Sequence, residues 1–429
     1  MSTGVDRAVP RSLLPDTAAI DPRTGRLSVG AVDLVDLASD HGTPLFVYDE
    51  AHMRARCREA RAAFGDGVAY ASKAFLCLAM ARLVHDEGMY VDVATGGELH
   101  VAVTAGVPPD RIVVHGNNKS DVELREAIEI GVHRIVIDSF DELARLERLV
   151  EAAGAQPPRA LVRVTPGVEA HTHEYVMTGQ VDSKFGFGLA SGDAAEAVER
   201  ARRSPHLELV GLHAHIGSQI FLAHSYEKAV GVLAEFARPL ALSELCLGGG
   251  LGVPYVAGEE APSITEWGDT LRRACAAAGI TAKVTAEPGR AIAATAGLTL
   301  YRVGTIKEIP DVRTYVSVDG GMSDNPRPVL YGSGYEAFLP RAAAAPRPRV
   351  VTVVGKHCES GDVVVRDARV PADIAVGDVL CTPVTGAYGH SMASNYNKVP
   401  RPAVVFVREG EARVVVRRET NDDLVRLDE

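Results

Sequence analysis

Between residues 66 and 290 the chain alternates short runs of β-branched and aliphatic residues with longer stretches in which apolar positions recur every three or four residues. Parallel strands joined by right-handed helical crossovers require that alternation. Eight strand segments are predicted: 68–73 (VAYASK), 89–95 (MYVDVAT), 111–116 (RIVVHG), 134–139 (RIVIDS), 159–166 (RALVRVTP), 209–217 (LVGLHAHIG), 244–250 (ELCLGGG) and 282–289 (AKVTAEPG). The helical stretch 120–131 (SDVELREAIEIG) opens on a serine suited to cap the helix and closes on glycine. Eight strand–helix units in this length predict a closed (β/α)8 barrel of the α/β class. An open doubly wound sheet would carry a Gly-x-Gly-x-x-Gly turn after the first strand, and none is present.

Beyond residue 310 the texture changes to Val- and Thr-rich alternating runs separated by Gly, Asp and Pro, such as RTYVSVDGG, RVVTVVGKHC, GDVVVRDARV, DVLCTPVTG and RPAVVFVREGEARVVVRRE. These predict a C-terminal antiparallel β-domain. The expected division is an N-terminal segment 1–46, partly disordered and then packing with the β-domain, a barrel over 47–309, and the β-domain over 310–429.

At 429 residues the chain is long enough for two cores. A formal net charge of −11 argues against a basic face for nucleic acid. No apolar run reaches the roughly 18–20 residues of a membrane span, and the start MSTGVDRAVPRSLLPD lacks the order of a signal peptide. A cytoplasmic protein without membrane or nucleic-acid partners is expected. The six cysteines (57, 77, 246, 275, 358 and 381) are scattered with no CxxC pair, so neither a disulfide framework nor a metal site is predicted.

In a (β/α)8 barrel the chemistry gathers at the C-terminal ends of the strands. The polar residues there are Lys73, Asp92, His115 with Asn117 and Asn118, Arg163, His213, His215, Ser218, Glu287 and Arg290, with Gly248, Gly249 and Gly250 among them. Lys73 ends the first strand in uncharged surroundings (YASKAFLCLAM), where desolvation would favour the neutral amine that a Schiff base needs. A lysine that merely reaches from a strand end to solvent is the plain alternative. Ser218, the glycines 248–250 and the Gly289-Arg290 turn offer backbone N–H groups and a guanidinium to a phosphate, although any one glycine run can equally serve a turn. His215 could stack on an aromatic ring, and Glu287 could pair with a ring nitrogen, keep it protonated and so make the ring an electron acceptor. A core histidine and a carboxylate paired with arginine are the plainer readings. Lysine, phosphate cradle, stacking ring and carboxylate together describe a pyridoxal 5'-phosphate site.

These motifs resemble the fold-type III, alanine-racemase-like pyridoxal phosphate decarboxylases, and within them the diaminopimelate decarboxylase family. The likeness runs from HGTPLFVYDE near residue 41 to NDDLVRLDE at the end. It is carried by YASKA (70–74), DVATGGEL (92–99), HGNNKS (115–120), HTHEYVMTGQVDSKFGFG (171–188), HAHIGSQ (213–219), LGGGLG (247–252) and EPGR (287–290), followed by DGGMSDNPRPVLYG (319–332), HCESGD (357–362) and TGAYGHSMASNYN (385–397). The barrel motifs are shared with ornithine and arginine decarboxylases, whereas MSDNPRPVLY and CESGD point to the diaminopimelate branch.

The resemblance implies decarboxylation of the D-configured end of meso-2,6-diaminopimelate to L-lysine, the last step of lysine biosynthesis. It assigns the Schiff-base amine to Lys73, stacking to His215 and the ring nitrogen to Glu287. Cofactor binding would fall to Asp92, Ser218, Gly248, Gly249, Gly250, Pro288, Gly289, Arg290 and Tyr388. Substrate would be held by Arg290, Arg327, Tyr331, Glu359 and Tyr388, with Glu359 facing the distal ammonium. Cys358 would protonate the carbon that has lost carbon dioxide, from across a homodimer with shared active sites; the alternative is a packed thiol. The rival activities are decarboxylation of ornithine, arginine or a carboxylated polyamine, racemisation, and non-catalytic pyridoxal phosphate binding. A diamine-producing enzyme has no use for an arginine at the distal end.

Overall fold

The computed structural model describes residues 8–167, 183–215, 217–221 and 223–429, and the chain forms two compact units. One comprises residues 56–252 and 261–291. Its eight parallel strands follow one another around a sheet: β1 (Ala69–Ala71), β2 (Tyr90–Val93), β3 (Ile112–Val114), β4 (Arg134–Ile137), β5 (Arg159–Thr165), β6 (Glu208–His213), β7 (Glu244–Cys246) and β8 (Lys283–Thr285). Backbone bonds from Ala69 N to Ala286 O (3.0 Å) and from Ala71 N to Pro288 O (3.3 Å) bring the first strand against the segment that leaves the last, closing the barrel. The eight strands follow one another in the predicted order, and an unpredicted two-residue strand, Phe187–Gly188, pairs parallel with the end of β5.

Several strands end two to four residues before the predicted ends. Lys73, His115, His215, the glycines 248–250 and Glu287 leave the ladder and lie in the segments beyond it. Glycines with positive φ and polar side chains that seek partners other than the neighbouring strand cut the ladder short, and this creates the rim on which the site is built.

Alternate residues along a strand face the same way, and three levels result. Arg134 of β4 pairs with Glu244 of β7, its Nε 2.9 Å from Oε2. One step on, Val113, Val136, Leu161, Val210 and Cys246 form a buried apolar cluster. Two residues beyond members of that cluster lie His115, Asp138 and Arg163, the last two 3.2 Å apart. Placing the charges in pairs at the two levels flanking an apolar one satisfies them without interrupting the packed middle.

The helix Asp121–Ile130 forms where its sequence signals place it. Ser120 and Glu123 make a reciprocal capping box, and Gly131 ends it in the left-handed conformation at φ 71°. Just before it, Lys119 is buried with its Nζ donating to Gly116 O (2.7 Å), Val136 O (2.6 Å) and Glu142 Oε1 (2.7 Å). All three ammonium protons are used, which makes burial of this charge tolerable.

The other unit comprises residues 1–55, 253–260 and 292–429. Its sheet runs in the order Val363–Val370, Arg349–Val354, Arg313–Val318, Gly297–Ile309, Leu45–Asp49, Ala403–Arg408, Glu411–Val416, and Val379–Pro383 also pairs with Gly297–Ile309. Most pairings are antiparallel as expected, but Arg313–Val318 with Arg349–Val354, and Leu45–Asp49 with Ala403–Arg408, are parallel. The expected boundaries shift. Gly297–Ile309 lies in this sheet and not in the barrel, because Gly297–Leu300 pair antiparallel with Leu45–Tyr48. Among the described residues no helix is long and apolar enough to cross a membrane.

Replacing Lys119 by Met strands Glu142 without a cation, and the barrel should lose about 3–5 kcal/mol of stability. Adding Glu142→Leu should restore most of it; denaturant unfolding of wild type, both single variants and the double variant measures the coupling.

Candidate active site

Glu287 lies two residues beyond β8 and is 7% exposed. Its backbone N–H donates to Gly248 O at 2.7 Å. Its carboxylate is shared between two imidazoles: Oε1 is 2.9 Å from His115 Nε2, and Oε2 is 3.0 Å from His213 Nε2. Burial by itself would raise the acid's pKa, but the two histidines reverse the effect and hold it well below the ordinary carboxylate range. The histidines divide the work. Burial lowers His213 to about 4, so it is a neutral ring that donates Nε2–H to the carboxylate. For His115 burial is outweighed by Asp92 and Glu287, and its pKa is raised. Asp92, 3.7 Å from His115 Nε2, is pushed up to about 7 by burial.

The sequence reading lists His115 and His213 among the strand ends without a role; their joint grip on Glu287 is a finding of the structure. These two nitrogens and the carboxylate lie within 4.8 Å of one another and could ligate a metal. Both carboxylate oxygens already have imidazole partners, which a metal would have to displace.

Around this acid the predicted cradle comes together. Gly249 N–H donates to His215 Nδ1 at 3.2 Å. The His215 ring is half-buried, and burial with the nearby positive charges of Lys73 and Arg163 holds its pKa well below the ordinary value, so it is neutral. Glycine is required in the segment beyond β7 by close approach: a Cβ would lie 2.7 Å from Ala214 O at Gly248, 2.4 Å from Glu287 O at Gly249 and 2.3 Å from Gly217 O at Gly250. Arg290, 6% exposed, donates from Nη2 to Ser218 Oγ at 2.9 Å. The segments after β6, β7 and β8 thus present hydroxyl, guanidinium and glycine backbone side by side, an arrangement that suits an anion.

Lys73 stands on the one-turn helix Ser72–Ala74, between two buried neighbours. It is exposed, contrary to the expected desolvation, because that turn lifts it off the strand end. Gly289 permits the turn: a Cβ there would lie 2.9 Å from Ala71 O and 3.1 Å from Ala74 Cβ. Pro288 supplies the carbonyl that Ala71 bonds. A further pair that sequence reasoning missed is Asp138 with Arg163, whose guanidinium also lies 4.4 Å from the centre of the Phe185 ring. Of the motif at 171–188, residues 171–182 lie outside the described residues.

The second unit carries the remaining predicted residues in two groups. Arg327 is 6% exposed and opens the short helix Arg327–Tyr331. Its guanidinium carbon lies 5.1, 5.5 and 5.8 Å from the ring centres of Tyr255, Tyr331 and Tyr388, while Nε donates to Tyr335 Oη (3.0 Å) and Nη2 to Ser333 Oγ (3.1 Å). No carboxylate of the described residues pairs with it. Tyr255 and Tyr335 carry no sequence signal for this role, since only folding brings them to residue 327. In the other group are Cys358, which alone of the six cysteines is exposed, and Glu359, which accepts from Tyr396 Oη at 2.5 Å.

Comparison with known proteins decides the family. Residues 50–294 match the model of the pyridoxal-dependent decarboxylases, pyridoxal binding domain. The chain is 48% identical over 426 residues to the diaminopimelate decarboxylase of Mycobacterium tuberculosis, covering 94% of this chain and 95% of the relative. The chain belongs to the diaminopimelate decarboxylase family. The family member from Bacillus subtilis is 46% identical over 420 residues, covering 94% of this chain and 95% of the relative. Among solved structures, diaminopimelate decarboxylase from M. jannaschii in complex with L-lysine superposes with a TM-score of 0.89 at 32% identity, covering 96% of this chain and 98% of that one. The Helicobacter pylori enzyme, also complexed with L-lysine, gives 0.85 at 31% identity, with coverages of 92% and 98%.

The raised pKa of Asp92 makes a stability prediction for this family member. Between about pH 4 and pH 7 the folded chain keeps a proton that the unfolded chain has released, so the wild type loses stability as pH rises through that window. Asp92→Asn cannot titrate. Its stability relative to wild type, without added cofactor, should rise by about 1–3 kcal/mol from pH 4 to pH 7 and then level off; thermal melts across pH test this.

Proposed function

We propose that this chain decarboxylates meso-2,6-diaminopimelate to L-lysine and carbon dioxide with pyridoxal 5'-phosphate as cofactor, acting in the cytoplasm as a homodimer with shared sites. The observation that carries the substrate reading is Arg327: a buried guanidinium in an aromatic cage, with no carboxylate of the described residues beside it. Leaving a charge buried and uncompensated is costly, so the cage is suited to an incoming anion. A carboxylate remote from the reacting carbon is what separates diaminopimelate from ornithine or arginine.

The barrel residues fit the cofactor by the chemistry of their donors. Glu287 is ionised and suited to a protonated pyridine nitrogen, His215 offers a neutral ring, Lys73 an amine, and Ser218, Gly248–Gly250 and Gly289-Arg290 the phosphate cradle, with Asp92 and Pro288 in support; the family resemblance adds Tyr388 as a further cofactor residue. When bound, pyridoxal phosphate supplies an electrophilic carbonyl and a ring that takes up the electron pair left by departing carbon dioxide. Glu287 would keep that ring protonated, and His115 and His213 keep Glu287 ionised. Lys73 would hold the cofactor through its amine. Arg327 and Tyr331 orient the distal carboxylate, Glu359 the distal ammonium, and Arg290 and Tyr388 the proximal groups. Cys358 Sγ delivers a proton to the carbon that has lost carbon dioxide, from the partner chain's side of a shared site; its exposure in the single chain supports that reading.

Release of carbon dioxide from meso-diaminopimelate, but not from L-ornithine or L-arginine, tests the substrate. Borohydride should fix the cofactor covalently to wild type and leave Lys73→Ala unlabelled. Arg327→Ala should lose about 2 kcal/mol or more in kcat/KM with cofactor absorbance unchanged.

Cys358→Ala should bind cofactor normally and turn over about 10²- to 10⁴-fold more slowly. Mixed with Lys73→Ala under conditions of subunit exchange, it should regain up to about a quarter of wild-type activity, since half the dimers then hold one intact site. Mixed, exchanged dimers with no activity would place both residues in one chain's site or remove Cys358 from the chemistry.

A further inference from the structure

The segment 394–397 (SNYN) belongs to a motif whose only assigned residue is Tyr388, yet two of its side chains, Tyr396 and Asn397, between them contact the three consecutive residues 357–359. The ring of Tyr396 lies nearly parallel to that of His357, at 13° and 5.7 Å between centres. Its hydroxyl donates to Glu359 Oε1 at 2.5 Å. Asn397 Oδ1 accepts the backbone N–H of Cys358 at 3.0 Å.

Both sides of this contact are tied to the same turn, residues 320–323. On one side Lys356 N donates to Gly320 O (3.0 Å), and Asp362, which accepts both N–H and Nδ1 of His357, also accepts Met322 N (2.7 Å). On the other, Ser394 N donates to Ser323 O (2.9 Å), and Asn395 Nδ2 reaches Glu419 Oε2 (2.6 Å). Asn397 takes φ 51° and ψ 26°, a left-handed conformation that asparagine tolerates better than most residues and that aims its amide at Cys358.

We infer that Tyr396 and Asn397 are positioning residues that clasp the 357–359 segment, Asn397 setting the backbone that carries the Cys358 thiol and Tyr396 setting the Glu359 carboxylate. The inference rests on the reading of Cys358 as proton donor and Glu359 as ammonium partner. Cys358, Glu359, Tyr396 and Asn397 are all exposed, so hydrogen bonds among them add little to global stability. What they supply is geometry, and a displacement of about 1 Å in a reacting group is enough to cost about a hundredfold in rate.

The test is steady-state decarboxylation of meso-diaminopimelate by the holoenzyme, with the pH dependence of Cys358 alkylation as a second readout. Tyr396→Phe keeps the ring and removes the bond to Glu359; KM should rise about 5- to 10-fold with kcat within twofold. Asn397→Gly keeps the left-handed backbone and removes the acceptor. Its kcat should fall about 10- to 100-fold with KM little changed and the alkylation profile shifted, while Asn397→Asp, which restores an acceptor oxygen, should recover most of it. Wild-type kinetics in Tyr396→Phe and Asn397→Gly, alongside impaired Glu359→Gln and Cys358→Ala, would overturn the clasp and leave the proposed function standing. Losses that track only a lowered melting temperature, or that Asn397→Asp fails to rescue, would also overturn it. If Glu359→Gln and Cys358→Ala are themselves inert, the underlying assignment of those residues falls instead.

Discussion

The arrangement at the C-terminal end of the barrel depends on one carboxylate. Glu287 is buried, and a buried acid ordinarily takes up a proton and becomes useless as a counter-ion. Here the hydrogen bonds from His115 and His213 reverse that tendency. His213 ends β6, and His115 and Glu287 lie just beyond β3 and β8, so the charge state of one side chain is set by the closure of the whole barrel. A shift of any one strand by a single residue would turn its side chain to the other face and leave the acid unpaired. Gly249 is bound to the same constraint, because a Cβ there would lie 2.4 Å from the Glu287 carbonyl oxygen.

The layering inside the barrel explains how so many charges can be buried in one unit. Arg134 with Glu244 at one level, and Asp138 with Arg163 and the Glu287 cluster at another, enclose an apolar layer between them. Each ion has a partner, and each pair spans strands that the apolar layer holds at fixed spacing. Lys119 with Glu142 extends the scheme to the segment leading from His115 into its helix, tying Gly116 and Val136 to one ammonium group. The Lys119 ammonium thereby ties down the backbone immediately after His115, one of the two residues that hold Glu287 ionised.

Much of this was legible in the chain. The eight barrel strands lie where the alternation of short apolar runs and amphipathic stretches places them, and the helix Asp121–Ile130 begins and ends at its capping residues. Local signals end where pairing becomes non-local. Nothing within TLYRVGTIKEI says that its early part will pair with Leu45–Tyr48 instead of joining the barrel. The same limit applies to the site. Lys73, Glu287 and the glycine run stand out by their setting at strand ends, whereas the sharing of Glu287 between two histidines depends on barrel register. The cage around Arg327 adds Tyr255 and Tyr335, which only the folded chain brings there, to Tyr331 and Tyr388, which the family resemblance already grouped with it.

That cage shows how selectivity can be built without a pre-formed ion pair. Had Arg327 been given a carboxylate partner from the chain, a substrate carboxylate would have had to displace it, and most of the Coulombic gain would cancel. Aromatic faces and the hydroxyls of Tyr335 and Ser333 stabilise the guanidinium through weaker interactions. They hold its plane in place yet leave its charge uncompensated, so a carboxylate entering the cage gains a charge-assisted bond in a desolvated setting. A ligand lacking that group would bury the arginine without compensation. Discrimination of this kind rests on a penalty against the wrong ligand as much as on attraction to the right one, and under the proposed function it would separate the choice of substrate, around Arg327, from the electron chemistry, which Glu287 would support from the barrel.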